Sequence, residues 1–211
     1  MMFYRNIGKR MFDLGCASLA LIILSPLLLL VALLVKIKLG SPVIFRQMRP
    51  GQGEKLFPLF KFRTMTNERD EAGQLLPDSR RLTPTGKFLR RTSLDELPEL
   101  VNVVRGEMSF IGPRPLLVRY LPYFSIEERA RFTVRPGITG LAQVNGRNDL
   151  SWDRRLHKDI QYVRSLSFGC DVKILCDTVL CVLRRDGYQA DPNAIMLDFD
   201  AERRLHSRNR G

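Results

Sequence analysis

Asp95 and Glu96 stand side by side in the segment 92–115, TSLDELPELVNVVRGEMSFIGPRP, which ends in Pro113-Arg114-Pro115, a rigid turn presenting a guanidinium. In the middle of a helix, consecutive carboxylates point about 100° apart and cannot share a ligand. In a first turn, both lean past the helix end toward free N–H groups and the positive end of the dipole, where a phosphate also binds. Ser93-Leu-Asp-Glu96 fits the capping-box pattern, which offers Glu96 a plainer role as a backbone cap. Pro98 leaves the register open by a residue or two, because it removes one ladder bond from a helix capped at Ser93. Two carboxylates repel a diphosphate, so chemistry here needs positive charge. Mg²⁺ held by Asp95, Glu96 and phosphate oxygens is the usual solution, with basic side chains taking up the remainder. Lys61, Arg63, Arg90, Arg91, Arg114 and Arg147 are available. An ionised Asp is a competent nucleophile toward phosphorus and forms an acyl phosphate that keeps the transferred group activated. His157 falls on a charged helix face and His206 near the C-terminus, so no histidine base stands out.

The elements that must position these groups are partly legible. Residues 42–48 and 56–65 read as extended segments joined by Pro50-Gly51-Gln52-Gly53, a hairpin-like turn. Lys61 and Arg63 alternate with Phe60 and Phe62, which puts both cations on one face of the second segment. Residues 67–82 read as a polar surface loop with some helix. Ser125-Ile-Glu-Glu128 opens a short helix with a capping box. Residues 135–140 read as a turn cluster, and 141–147 as a short extended run ending in Arg147. Residues 151–165 read as a helix with Trp152, Leu156, Ile160 and Val163 close to one face. A second helix, apolar at Val172, Leu175, Cys176, Val179, Leu180 and Leu183, takes Asp171 as its N-cap. Too short to span a bilayer, it either packs in the core or lies in a membrane interface. Residues 190–211 read as a mobile tail.

Charge and hydropathy set the surroundings. The chain of 211 residues carries a formal charge of +12. Residues 1–91 hold sixteen Lys and Arg against six Asp and Glu, residues 92–189 fourteen against twelve, and the last 22 four of each. The excess therefore belongs with the N-terminal region, where anionic lipid head groups and phosphorylated substrates are the expected targets. Residues 14–35 are 22 without a charge, about 33 Å as a straight helix and long enough to span. Arg5, Lys9 and Arg10 precede this run and Lys36, Lys38, Arg46 and Arg49 follow it, so both ends favour the same side. Ser25-Pro26 lies at its centre, where proline removes a backbone donor and the serine hydroxyl can satisfy the carbonyl set free. A re-entrant hairpin fits these features, and the residues alone leave a kinked spanning helix open. Cys16, Cys170, Cys176 and Cys181 lack CxxC spacing and a nearby histidine, and read as reduced thiols rather than a zinc site or a disulfide framework. The sequence has no Walker loop, HExxH motif or GxSxG elbow.

A set of motifs in order completes the reading: Lys9-Arg10-Met-Phe-Asp13, Ser25-Pro26, Phe60-Lys-Phe-Arg-Thr-Met65, Ser93-Leu-Asp-Glu-Leu-Pro98, Ser109-Phe-Ile-Gly-Pro-Arg-Pro115, Arg135-Pro-Gly-Ile-Thr-Gly140 and Gln143-Val-Asn-Gly-Arg147. Through these the chain closely resembles the bacterial sugar transferases, monotopic phosphoglycosyl transferases that begin glycan assembly on a polyprenyl carrier, in a minimal form. The resemblance implies a fold of the α/β class with mostly helical content. Residues 1–40 would be a re-entrant membrane helix-break-helix and 41–190 a cytoplasmic catalytic domain with a short β-hairpin and amphipathic interfacial helices, followed by a C-terminal tail, 191–211. It implies location at the bacterial inner membrane, with the globular part on the cytoplasmic face, and a reaction of a UDP-sugar with polyprenyl phosphate (undecaprenyl phosphate) to give a polyprenyl-diphosphate-sugar and UMP. Asp95 would attack the β-phosphorus and hold the phosphosugar, Mg²⁺ would sit by the pair, and Glu96 would support the metal or the carrier phosphate. Arg90, Arg114 and Arg147, with Lys61 and Arg63, would contact phosphate or nucleotide. Anionic lipids and a second copy of the chain are further partners this reading allows, and nucleic acid is not one. The competing class is a non-enzymatic basic membrane anchor, which leaves the acidic pair beside an arginine turn unexplained.

Overall fold

The computed structural model describes residues 3–146, 150–184 and 197–208. A π-helical turn, Tyr4–Gly8, leads into α1 (Lys9–Leu39), followed by β1 (Ile44–Pro50), β2 (Leu56–Phe62), α2 (Asp78–Arg81) and α3 (Pro84–Arg91). A 3₁₀ turn, Leu94–Glu96, precedes α4 (Glu99–Arg105) and β3 (Ser109–Ile111), and two more, Val118–Tyr123 and Glu128–Thr133, precede β4 (Gly137–Thr139). Then come α5 (Leu141–Val144), α6 (Trp152–Ser165), α7 (Phe168–Arg184) and α8 (Phe199–Arg208). The chain is mostly helical, with the expected antiparallel hairpin pairing Ile44 with Phe62 and Pro50 with Leu56.

Among the described residues α1 is the one helix long and apolar enough to cross a membrane. It runs for 31 residues and stays helical through Pro26. Pro26 has no N–H for the carbonyl of Ile22, and the Ser25 hydroxyl takes that place, donating to Ile22 O at 2.8 Å. Both halves of α1 lie against the same globular body. Ala17 packs with Phe57, Leu59, Leu100, Val103 and Met108, while Val31 and Val35 pack with Phe62 and Leu89. The remaining faces are bare, with Leu19, Ile22, Ile23, Leu29, Leu30 and Leu33 each more than half exposed. An apolar patch of that extent calls for a partner or a lipid solvent.

The Lys9-Arg10-Met-Phe-Asp13 motif fastens the base of α1. Lys9 Nζ lies 2.6 Å from Asp171 Oδ2 on α7, and the Tyr4 and Tyr162 hydroxyls donate to Asp171 Oδ2 and Oδ1 at 2.6 and 2.8 Å. Arg10 donates to the carbonyls of Val103 and Val104 at the end of α4, where cations offset the helix dipole. Asp13 Oδ1 accepts from Ser109 Oγ and Phe110 N. Asp171 is thus an ion-pair partner buried inside α7 rather than its cap, and the helix starts earlier, with Ser167 Oγ accepting from Cys170 N at 3.3 Å.

Three other segments differ from their sequence reading. Residues 137–139, read as part of a turn, form β4, parallel to β3, with Gly112 N donating to Thr139 O and Ser109 N to Pro136 O. The glycines there permit close backbone approach: a Cβ on Gly137 would lie 2.1 Å from Gly112 N, and one on Gly140 2.1 Å from Gly112 O. Residues 141–144 wind into α5 instead of extending, with Gln143 N and Val144 N both donating to Gly140 O. Within the expected tail, α8 buries Phe199 completely among Tyr120, Phe124 and Trp152, so this stretch is held by aromatic packing. The Ser125–Glu128 capping box is present, with reciprocal bonds of 2.7 and 3.3 Å, but it opens a 3₁₀ turn. α6 buries Trp152, Leu156, Ile160 and Val163 as its period requires.

Candidate active site

Three short elements converge on the acidic pair. α3 opens with Thr83 as its cap, accepting from Gly86 N at 3.0 Å, and Pro84 in the first turn. A Cβ on Gly86 would sit 1.9 Å from Thr64 O, so glycine lets α3 press onto the residues that follow β2. That contact seats Arg90, whose Nε donates to Thr64 Oγ1 at 3.1 Å. The chain then reverses at Ser93, a left-handed residue with φ +56°, and enters the 3₁₀ turn that carries Asp95 and Glu96. Pro98 lies just ahead of α4, where its missing N–H costs no ladder bond. The acidic pair therefore belongs to a separate turn in front of the helix.

The capping box expected at Ser93 is not formed, since Glu96 N bonds the Ser93 carbonyl and the Ser93 side chain caps nothing. Glu96 faces cations instead. Its Oε1 accepts from Lys61 Nζ at 2.7 Å and from Arg114 Nη2 at 2.5 Å. Asp95 is 7% exposed, and among the described residues no hydrogen bond or ion pair engages its carboxylate. One carboxylate of the pair is fixed, and the other is left available.

Electrostatics separate the two further. Burial raises the Asp95 carboxyl above its ordinary value, and the Glu96 charge adds to this, while Lys61, Arg90 and Arg114 pull the other way. Burial would raise Glu96 too, but Arg114 and Lys61 outweigh it and hold that carboxyl well below the usual range. Arg114 in turn is held charged by Glu96. Beneath them Glu99 is 2% exposed, with Oε1 3.1 Å from Lys61 Nζ. Burial pushes its carboxyl up to about 7, Lys61 opposing and Glu96 adding.

Lys61 and Arg114 pair with Glu96, and together with Arg90 they lie close enough to Asp95 to lower its carboxyl. Arg63 does not join them. It is buried after β2 and donates from Nη1 to Ser41 O at 2.9 Å, beyond the end of α1. The alternation that placed Lys61 and Arg63 on one face ends with β2 at Phe62. Arg147 lies outside the described residues. Glu99 was not singled out in the sequence, although its i,i+3 spacing from Glu96 was a usable signal. The Pro-Arg-Pro turn behaves as its sequence suggests, with both prolines buried and Arg114 exposed.

Asp95 and Glu96 are the neighbouring carboxylates that could hold a hard cation here. Among the described residues no group of three or more His, Cys, Asp and Glu is placed to hold a metal. Mg²⁺ commonly uses one or two protein carboxylates together with phosphate oxygens and water, and Asp95, without a partner among the described residues, and Glu96 are the carboxylates that could supply them.

Comparison with known proteins follows the same lines. The family model for bacterial sugar transferases matches residues 4–185. Uncharacterized sugar transferase EpsL of Bacillus subtilis is 51% identical over 181 residues, covering 86% of this chain and 90% of that protein. UDP-glucose:undecaprenyl-phosphate glucose-1-phosphate transferase of Caulobacter vibrioides is 39% identical over 191 residues, 86% of this chain and 72% of the relative. Undecaprenyl-phosphate galactose phosphotransferase of Salmonella typhimurium is 40% identical over 196 residues, 85% of this chain, which spans 41% of that longer protein.

Proposed function

The chain belongs to the bacterial sugar transferase family, and we propose that it is a phosphoglycosyl transferase moving a sugar 1-phosphate from a UDP-sugar to a membrane polyprenyl phosphate, as the name of its Caulobacter relative describes for UDP-glucose and undecaprenyl phosphate; the Salmonella relative's name likewise pairs undecaprenyl phosphate with galactose. The observation that carries this reading is the division of labour in the acidic pair: Asp95 unpaired among the described residues, Glu96 tied to Lys61 and Arg114. An Asp95 carboxylate oxygen attacks the β-phosphorus of the donor. The bond from that phosphorus to the bridging oxygen breaks, and UMP departs with the electron pair. Asp95 then holds the phosphosugar as an acyl phosphate. A phosphate oxygen of the polyprenyl phosphate attacks the same phosphorus, and the Asp95 carboxylate leaves, giving the polyprenyl-diphosphate-sugar. Arg114, Lys61 and Arg90 stabilise charge on the transferring group through positions set before substrate arrives. Mg²⁺, bound by Asp95 and Glu96, would neutralise the diphosphate and lower the repulsion between donor and nucleophile.

The membrane reading follows from α1. Basic residues flank both ends, and both halves rest on one globular body, which supports a re-entrant segment over one that carries its ends to opposite sides. On α7, Phe168, Val172, Leu175, Val179 and Leu180 are exposed, and the Phe168 ring meets Tyr4 and Phe12 at the base of α1. That continuity supports α7 lying in the lipid interface beside α1, with the catalytic body on the cytoplasmic face of the inner membrane.

UMP release from a panel of UDP-sugars by detergent-solubilised protein, with and without polyprenyl phosphate and Mg²⁺, tests the reaction. The expected result is one preferred donor, a requirement for Mg²⁺, and loss of UMP in Asp95→Asn of at least about 10³-fold, the scale seen when a catalytic nucleophile is removed. Equal release by Asp95→Asn and wild type would overturn the assignment.

A further inference from the structure

Resting on that reading of the site, we infer that the buried pair Arg131–Asp159 is a positioning device that holds the Pro113-Arg114-Pro115 turn from behind and so sets where the Arg114 guanidinium meets Glu96. The turn offers three consecutive carbonyls, and each receives one donor. Gly137 N, at the start of β4, donates to Pro113 O at 3.0 Å. Arg131 Nη2 donates to Arg114 O at 2.7 Å. Arg49 Nη1, from β1, donates to Pro115 O at 3.3 Å and is itself steadied by Gln47 Oε1, 2.6 Å from its Nη2. A surface turn needs no such set of partners, because water satisfies its carbonyls.

Arg131 is the central member. It is 3% exposed, and the Nη2 that reaches Arg114 O also lies 2.9 Å from Asp159 Oδ2 on α6. The Phe124 and Phe132 rings lie 5.4 and 5.5 Å from its guanidinium carbon, so the planar group cannot swing without losing the stack. Burying an ion pair is weak evidence for stability, since desolvation offsets much of the attraction. A fixed orientation accounts better for its presence. From Asp159 through Arg131, Arg114 O and Arg114 Nη2 to Glu96 Oε1, every link is a hydrogen bond or ion pair of 2.9 Å or less, apart from the covalent span of Arg114 itself. None of Arg131, Asp159 or Arg49 needs to touch substrate, so they are positioning residues.

The test is a double-mutant cycle on UMP release, pairing Arg131→Lys and Asp159→Asn each with Arg114→Ala. Arg131→Lys keeps the charge but replaces the planar fork by a compact ammonium that cannot hold the same stacked, two-acceptor geometry. Expected losses are roughly 10- to 100-fold in kcat/KM for either single variant, the range for groups that support a functional residue from behind, with the same split between kcat and KM as Arg114→Ala. In the Arg114→Ala background either change should cost less than about 3-fold, because a residue acting through another is non-additive with it. Full additivity would overturn the inference. Hydrogen exchange of the Gly112 and Gly137 amides, which donate to Thr139 O and Pro113 O beside the turn, supplies a readout independent of turnover: faster exchange there in Arg131→Lys, with α1 and the hairpin unchanged, is expected. Uniform loss of protection, or none, would contradict a local role even if the proposed reaction failed its own test.

Discussion

Neighbouring carboxylates ionise unequally when only one of them is paired, and Asp95 and Glu96 are such a case. Glu96, between Lys61 and Arg114, stays charged to low pH, whereas Asp95 takes up a proton more readily than an ordinary carboxyl because it is buried and faces the Glu96 charge. A nucleophilic Asp95 must be ionised, so its raised value means activity is lost earlier on acidification. The acid limb of kcat/KM should therefore fall at a pH above 3.8, the ordinary Asp value. Glu96→Gln removes the adjacent negative charge and releases Lys61 and Arg114 to face Asp95. Both effects lower the Asp95 value, so the limb should move to lower pH while kcat falls by about 10- to 100-fold. A limb unmoved or shifted upward, measured in the same buffers at limiting donor, would show that Glu96 does not set the charge state of the nucleophile.

At the scale of elements, the account turns on α1. Arg5→Cys and Lys38→Cys, each introduced after replacing Cys16, Cys170, Cys176 and Cys181 by serine, should react with a membrane-impermeant maleimide from the same face of oriented vesicles. Labelling from opposite faces would make α1 a spanning helix. The hairpin, α6 and the Ser25 hydroxyl bond to Ile22 O were legible because each rests on a local pattern: alternation, a 3.6 period, or a proline beside a hydroxyl. The Pro-Arg-Pro turn was legible for the same reason, whereas the helix start expected at Ser93 is a separate 3₁₀ turn that carries Asp95 and Glu96 ahead of α4. What escaped was long-range. Asp171 looked like a cap because its partners Lys9, Tyr4 and Tyr162 are remote in sequence or lie on another helix. Residues 135–140 looked like a turn because Gly and Pro signal bends, whereas Gly137 and Gly140 are there to let β4 touch Gly112. Alternation groups Arg63 with Lys61, but it ends at Phe62 with β2. Phe199 carried no periodic signal, and its socket of Tyr120, Phe124 and Trp152 is assembled from two other elements.

Taken whole, the molecule sets the charged Asp95-Glu96 turn on a body gripped by one long apolar helix. The Lys9–Asp171 pair and the Arg10 bonds fix the base of α1 to α7 and α4. Farther along, Val31 and Val35 close over Phe62 and Leu89, next to the Leu94 and Leu97 side chains that flank the acidic pair. A lipid-embedded α1 would thereby keep Asp95 close to the level at which a polyprenyl chain presents its phosphate, which is the geometry a reaction between a soluble donor and a membrane acceptor requires. The measurement that bears most directly on this is the intact mass of the protein after incubation with the preferred UDP-sugar and Mg²⁺ in the absence of acceptor. A mass increase of one phosphosugar is expected, mapped to Asp95, absent from Asp95→Asn, matched by a stoichiometric burst of UMP and discharged when polyprenyl phosphate is added. UMP appearing only when acceptor is present, with no adduct on the chain at any time, would contradict a covalent role for Asp95 and leave a direct displacement in its place.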